Sequence, residues 1–327
     1  MALSEFELIR RYFQQPGLMA DPVLHPEVAL GIGDDCALLD FGAATRLAIS
    51  LDVLVAGVHF PAAADPQLIG ERALAVALSD LAAMGATPLG FTLGLTLPVA
   101  EPGWLAGFSA GLAAAAQRYG CPLLGGDTTA GPLQVAVQVH GTLPLGKALR
   151  RDGARAGDEV WVSGQLGAAA LALEVLAGRL SPEGEAAAAL LTAYYRPVPQ
   201  LALGRALLDL AHAAQDVSDG LLADLGHIAR ASGVGMELQL AAVPISPAVL
   251  ALAAAGRASE LALGGGDDYQ LVFTAPPAAH QPIEALGARL QVLLTCIGRV
   301  VAGAEVEVLD AGGRRVPVVA SGYQHFA

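Results

Sequence analysis

Lysine is almost missing from this chain: Lys147 is its only one, and arginine supplies the rest of 18 basic residues against 31 acidic ones. The formal net charge of -13 excludes a general nucleic-acid binder, because that binding rests on cationic surface. Cysteine is scarce as well. Cys36, Cys121 and Cys296 form neither a disulfide framework nor a metal-site spacing, so a reducing, bacterial-type cytoplasmic location is expected. No run of about 18 uncharged apolar residues occurs, and no membrane span is expected. The start of the chain, Met1 to Arg11, is acidic and then basic, without the basic-then-apolar order of a secretory signal. There is no Gly-x-x-x-x-Gly-Lys-Ser/Thr, which rules against a P-loop kinase, and no protein-kinase motif set. A Gly-x-Ser-x-Gly elbow is also missing, and the seven histidines lack zinc spacing.

What is present is a long apolar chain: 327 residues, 54% of them hydrophobic. Folded, such a chain buries roughly 75% of its extended surface and makes one large or two ordinary domains. Phe6, Ile9 and Phe13 have the spacing of an amphipathic helix. Leu47, Ile49 and Leu51 alternate into Asp52, and residues 69–84 carry helical spacing at Leu74, Leu78 and Leu81 up to Gly85. Phe91 to Leu97 reads as a strand ended by Pro98, and 104–119 as a helix. Val135, Val137 and Val139 oppose Gln134, Gln138 and His140, the pattern of a strand with one wet face. Residues 145–157 break the rhythm and predict a domain junction, giving domains 1–145 and 146–327. In the second half, strands are expected at 160–162, 236–240, 270–274 and 291–300, and helices near 199–213, 220–231 and 246–255. Val306 and Val308, then Val316, Val318 and Val319, flank Gly312-Gly313 as a hairpin signal.

Carboxylates recur where the chain turns on small residues: Gly33-Asp34-Asp35, Ser50-Leu51-Asp52, Ser79-Asp80, Gly125-Gly126-Asp127-Thr128-Thr129, Asp216-Val217-Ser218-Asp219-Gly220 and Gly265-Gly266-Asp267-Asp268. Carboxylates brought together repel one another unless cations sit between them, and magnesium is a hard ion suited to oxygen donors. Each segment also has a plainer reading. The Gly-Gly-Asp is a turn whose carboxylate caps the next element, or a metal site. Ser218 or Asp219 is an ordinary N-cap, or part of a metal-phosphate site aided by a helix N-terminus. Of the adjacent pair, one acid ligates and the other orients; we assign Asp35 as the ligand. Asp80, inside an apolar helix, needs a partner: a metal, an arginine or a backbone amide. His59 is a buried polar anchor or a substrate contact. Lys147, Arg150, Arg151 and Arg155 are a solvated linker, or the cations that phosphate transfer requires. Gly164-Gln-Leu-Gly167 lacks the full dinucleotide spacing and reads as packing.

Taken in order, Gly-Ile-Gly-Asp-Asp-Cys-Ala, Ser-x-Asp-x-Leu-Val-x-Gly-Val-His-Phe, Leu-Ser-Asp-Leu-Ala-Ala-Met-Gly-Ala, Gly-Gly-Asp-Thr-Thr, Ser-Asp-Gly-Leu and Gly-Gly-x-Asp-Tyr resemble the thiamine-monophosphate kinase family. That family falls in the superfamily of aminoimidazole ribonucleotide synthetase, selenophosphate synthetase and a hydrogenase maturation factor. The resemblance covers essentially the whole chain. It implies an α/β (α+β) two-domain fold: an N-terminal domain of mixed sheet and helices that binds ATP and Mg2+ and forms a barrel-like homodimer interface, and a C-terminal α/β sandwich that completes the cleft. It implies transfer of the γ-phosphoryl of ATP to thiamine monophosphate with several Mg2+ ions. Asp35, Ser50, Leu51, Asp52, Asp80, Asp127, Asp216 and Asp219 then match metal ligands. Tyr119, Gly126, Asp127, Arg151 and Ser218 match nucleotide contacts, and His59, Asp267 and Tyr323 thiamine-side contacts. The family usually has Thr at Leu51, where only the backbone carbonyl remains to ligate, and Glu at Asp267, which is one methylene shorter.

Phosphoryl transfer through a loose transition state needs positioning and charge neutralisation more than a covalent nucleophile. An acceptor phosphate is already ionised near neutral pH, so no catalytic base is assigned. Three other readings fit acidic turns: another ATP-dependent synthetase of the superfamily, a two-metal phosphohydrolase, or a non-catalytic divalent-ion-binding protein.

Overall fold

The computed structural model describes residues 9–30, 38–39, 41–318 and 322. Phe6, Asp34, Asp35, Cys36, Val319 and Tyr323 lie outside them. The chain divides into two units, Met1–Leu81 with Ala86–Gly146, and Ala82–Gly85 with Lys147–Ala327. Among the described residues no helix is long and apolar enough to cross a membrane.

The first unit opens with a π-helical turn, Ile9–Phe13, and a two-stranded antiparallel pair, β1 (Val28–Leu30) and β2 (Leu38–Leu39). Then come β3 (Thr45–Val55), α1 (Pro66–Met84), β4 (Thr87–Leu97), α2 (Pro102–Tyr119), β5 (Leu123–Ala130) and β6 (Gln134–Pro144). Glu101 caps α2 by accepting the Gly103 amide at 2.9 Å, and Gly120, at φ 60°, ends it. The four long strands form one sheet in the order β3-β6-β4-β5, with only β4 and β5 parallel. Its buried face carries Phe91, Leu93, Leu95, Val135, Val137 and Val139. There α1 and α2 touch backbone to backbone: a Cβ on Gly111 would stand 1.9 Å from the Gln67 carbonyl. The other face of β3 is open. Leu47, Ile49, Leu51 and Val53 are all exposed on it, Ile49 and Leu51 by 55%.

The second unit runs β7 (Glu159–Ser163), α3 (Ala168–Leu176), α4 (Gly184–Tyr195), α5 (Leu201–Leu207), β8 (Ala213–Asp216), α6 (Leu221–Ser232), β9 (Gly235–Gln239), α7 (Pro247–Leu252), α8 (Ala255–Gly264), β10 (Leu271–Ala275), α9 (His280–Leu290), β11 (Leu294–Val301) and β12 (Val306–Leu309). Its sheet has the order β12-β9-β11-β7-β10-β8, antiparallel except where β12 runs parallel to β9. Leu221, Leu225 and Ile228 of α6 pack with Val160, Val162, Met236 and Val272 in the core of this unit. The expected two-part α/β organisation is what the chain adopts.

Four local expectations change. The helix expected near 199–213 is the short α5, and the chain then re-enters the sheet as β8. The helix expected near 246–255 is two helices, α7 and α8. The expected hairpin makes one bridge, Leu309 to Arg315, so its second arm is no strand. Gly-Gly-Asp-Thr-Thr lies inside β5 rather than in a turn.

Candidate active site

In the first unit, β3 and α1 bring three of the expected ligands together. The Ser50 hydroxyl donates to Asp80 Oδ2, and that hydroxyl is the partner Asp80 needs inside its apolar helix. Asp52, two residues along the same strand face, is half-buried. Burial pushes its carboxyl up to about 6; Asp80 pushes the same way, and Arg72 opposes both. Arg72 is only 3% exposed and was not anticipated. Its signal was a cation within a run of α1 otherwise fit for a core. The acidic pair thus carries more negative charge than one arginine compensates, and its donors are all oxygen. That is the chemistry a divalent hard cation satisfies.

Asp127 is elsewhere. Asp52 faces Val137, Val137 faces Leu93, and Leu93 faces Gly126 across the sheet. Asp127 aligns instead with Gly94, Ala136 and Val53, on the open face. Asp52 and Asp127 therefore occupy opposite edges and opposite faces of one sheet. Three strand spacings make that roughly 14 Å, too far for one cation to bind both. Asp127 is exposed, and a Cβ on Gly126 would stand 2.0 Å from the Leu93 carbonyl, so only glycine fits there. Near the end of β3, the Val55 amide donates to His59 Nδ1 at 3.0 Å, leaving Nε2 to carry the ring proton of the neutral form. Tyr119 ends α2, and burial raises its phenol against the pull of Arg118.

In the second unit the sequence motifs converge on two touching turns. The Ser218 carbonyl accepts the Asp267 amide and the Val217 carbonyl accepts the Tyr269 amide, each at 2.8 Å. Asp267 and Tyr269 both hold positive φ, 66° and 49°, a strained geometry for side-chain-bearing residues. Between them Asp268 turns inward and accepts the Gly167 amide with both oxygens at 3.0 Å, at the start of α3. Burial raises its carboxyl, and the neighbouring Asp267 charge adds to the rise. Asp216 is buried at the end of β8, while Ser218 and Asp219 are half-buried.

The helix N-terminus at Gly220 is not free for an anion, as the Ser218–Asp219 motif had suggested. Asp224 Oδ2 accepts the Ser218, Asp219 and Gly220 amides, each at 3.1 Å, and Gln215 Nε2 donates to Oδ1 at 2.8 Å. Burial pushes Asp224 up to about 7 against those amides. One donor atom each from Asp219, Asp224 and His227 lies within 4.8 Å of the others. Asp224 and Asp268 were missed. For Asp224 a signal existed: it occupies the core stripe of α6 with Leu221, Leu225 and Ile228, where a carboxylate needs internal partners.

Of the basic patch, Lys147 pairs with Asp209 and Arg150 with Asp152, each at 2.5 Å. Arg151 is exposed, and its carbonyl accepts the Ser232 hydroxyl at 2.8 Å. The same hydroxyl accepts the Ala154 amide at 3.1 Å, which fixes this turn to the end of α6. A cavity of about 290 Å³ opens beside the second turn, lined by Glu174, Arg179, Arg257, Glu260, Gly264 and Gly265 among others. A larger one, about 610 Å³, lies between α6 and β12 and contains none of the expected site residues.

Both halves of the chain match one protein class. A family profile described as AIR synthase related protein, N-terminal domain, matches residues 33–143, and one described as AIR synthase related protein, C-terminal domain, matches residues 155–311. Thiamine-monophosphate kinase of Salmonella typhimurium is 44% identical over 330 residues, covering 100% of this chain and 99% of that protein. The crystal structure of thiamine-monophosphate kinase from Stenotrophomonas maltophilia K279a is 42% identical, with TM-score 0.87 over 97% of this chain and 99% of that one. A third relative, AaThiL complexed with AMPPCP and TMP, is 33% identical with TM-score 0.77, over 90% of this chain and 92% of that one. The chain belongs to the thiamine-monophosphate kinase family of phosphotransferases.

Proposed function

We propose that the protein transfers the γ-phosphoryl of ATP to thiamine monophosphate, giving thiamine diphosphate and ADP, with Mg2+ as the resident cation. The observation that carries this reading is the likeness, over nine-tenths of the chain, to a relative complexed with AMPPCP and TMP. Ser50, Asp52, Asp80 and Asp127 in one unit, and Asp216 and Asp219 in the other, are the proposed oxygen donors, with the Leu51 carbonyl beside them. Asp35 joins them by motif and lies outside the described residues. Mg2+, when bound, supplies charge screening between two phosphate groups that otherwise repel.

The chain's own residues do the rest. Ser50 holds Asp80 in one orientation, and Arg72 limits the protonation of Asp52. Gly126 lets a phosphate approach the backbone, while Ser218 and the anchored Arg151 contact the nucleotide and Tyr119 lies against its base. His59, Asp267 and Tyr323 take the thiamine side; the last lies outside the described residues. Transfer is direct and in line. It needs no base, because the acceptor oxygen is already an anion, and its rate comes from alignment and electrostatics.

The proposed assembly is a homodimer. Among the described residues β3 and β5 are the edges of their sheet, and the open face of β3 is apolar. A second copy, placing its β5 beside β3 and its β3 beside β5, removes both edges and covers Leu47, Ile49, Leu51 and Val53. It also lays the β5 edge that carries Asp127 in one copy beside the β3 edge that carries Asp52 in the other.

The test is chromatography of products after mixing protein, ATP and Mg2+ with thiamine monophosphate, free thiamine or no acceptor. Thiamine diphosphate formed from the monophosphate alone is the expected result. Phosphate release without acceptor moves the reading to a hydrolase; nucleotide binding without either product moves it to another synthetase of the superfamily.

A further inference from the structure

We infer that Asp224 is the positioning residue of the nucleotide-side turn, and that by filling its amides it makes phosphate recognition there depend on a divalent cation. Backbone amides at the start of a helix ordinarily form an anion site. Here three successive amides, from Ser218, Asp219 and Gly220, converge on one carboxylate oxygen inside the protein. Asp224 is 0% exposed and sits in the first turn of α6, so it occupies the place a phosphate would take. The carbonyls of the same turn are also engaged: Val217 and Ser218 receive the Tyr269 and Asp267 amides. With its three amides and the Val217, Ser218 and Gly220 carbonyls committed internally, the turn offers a nucleotide chiefly its side chains. These are the Ser218 hydroxyl and the Asp216 and Asp219 carboxylates, and carboxylates meet phosphate through a cation.

Gln215 makes the arrangement adaptable. Its Nε2 donates to Asp224 Oδ1, while its own Oε1 is buried without a hydrogen bond among the described residues. If Asp224 becomes Asn, a flip of the Gln215 amide lets Oε1 accept from the new Asn NH2, and the single Asn side-chain oxygen, in the place of Oδ2, still receives the three N–H groups. Asp224→Asn therefore preserves the turn with its amides filled, and Asp224→Ala leaves the three amides without their acceptor.

This inference rests on the nucleotide-binding part of the proposed function, and binding measurements separate the two. Titration of wild type, D224N and D224A with AMPPCP is followed by calorimetry across Mg2+ concentrations, with inorganic phosphate titrated in metal-free buffer. Amide exchange of residues 218–220 in the metal-free proteins reports the turn itself. Expected are D224N within about threefold of wild type, and D224A with a Mg2+ requirement for nucleotide lowered about tenfold or more. D224A, if folded, should also exchange these amides faster and acquire metal-free phosphate binding that wild type lacks. If D224A does not fold, D224N decides: loss of nucleotide binding in a folded D224N overturns the inference. So does a D224A with unchanged Mg2+ dependence and amide exchange, whatever its melting temperature. A wild type that binds no nucleotide at any Mg2+ concentration overturns the functional reading itself.

Discussion

Asp52 links the first acidic cluster to solution conditions. Its carboxyl is raised to about 6 by burial and by Asp80, so the folded protein holds this proton more tightly than the unfolded chain does. The group's contribution to stability is then fully present below about pH 4 and is lost as pH rises through about 6. A divalent cation reverses that loss by favouring the ionised form. Mg2+ is expected to raise the melting temperature more at pH 7.5 than at pH 5, and Asp52→Asn should flatten the difference. Scanning calorimetry at the two pH values, with and without Mg2+, checks this; an equal Mg2+ effect at both pH values in wild type contradicts it. The residues that build the turns were harder to find from sequence than the residues on them. Asp219 and Asp267 announce themselves by glycine neighbours. Asp224 and Asp268 act through backbone amides of Gly220 and Gly167, and the partner of Asp268 lies 101 residues away. Arg72 is similar: its relation to Asp52 exists only once β3 and α1 are packed.

At the scale of elements, legibility followed side-chain pattern. The alternation of Val135, Val137 and Val139 gave β6, and the spacing of Leu74, Leu78 and Leu81 gave α1, because both elements bury one face. β8 was hidden because Ala213-Ala214-Gln215-Asp216 has no β-branched residue, and its strand state comes from pairing with β10. The alanine-rich α4 and the α7–α8 break were hidden because small residues make a weak apolar stripe. β3 is the reverse case: its pattern was clear, yet the alternation places large apolar side chains outward at Leu47, Ile49, Leu51 and Val53. An exposed apolar edge strand is a pairing surface. Ile49→Glu is therefore expected to convert the proposed dimer to a monomer, with the circular dichroism spectrum unchanged. Light scattering on the purified variant reads the mass; a dimer surviving the charge removes β3 from the interface.

For the whole molecule, an acidic chain of net charge -13 has Lys147 and Arg150 of its basic patch committed to Asp209 and Asp152, so the proposed reaction relies on Arg151 and on Mg2+ from solution for its positive charge. The sheet of the first unit adds a second consequence. It sets Asp52 and Asp127 on opposite edges, and the proposed dimer lays one copy's β5 beside the other's β3, so each proposed centre is expected to draw on one copy's Asp52 and the other copy's Asp127. Such an enzyme has the genetics of a shared part. An Asp52→Asn allele and an Asp127→Asn allele are each inactive alone. Mixed dimers keep one centre with both carboxylates and gather both defects in the other. With random assortment half of the dimers are mixed, so co-expression restores about a quarter of wild-type activity. Two broken copies of the gene would then support growth without thiamine where neither does so singly, and an Asp52→Asn Asp127→Asn double allele would reduce an intact copy's output without replacing it.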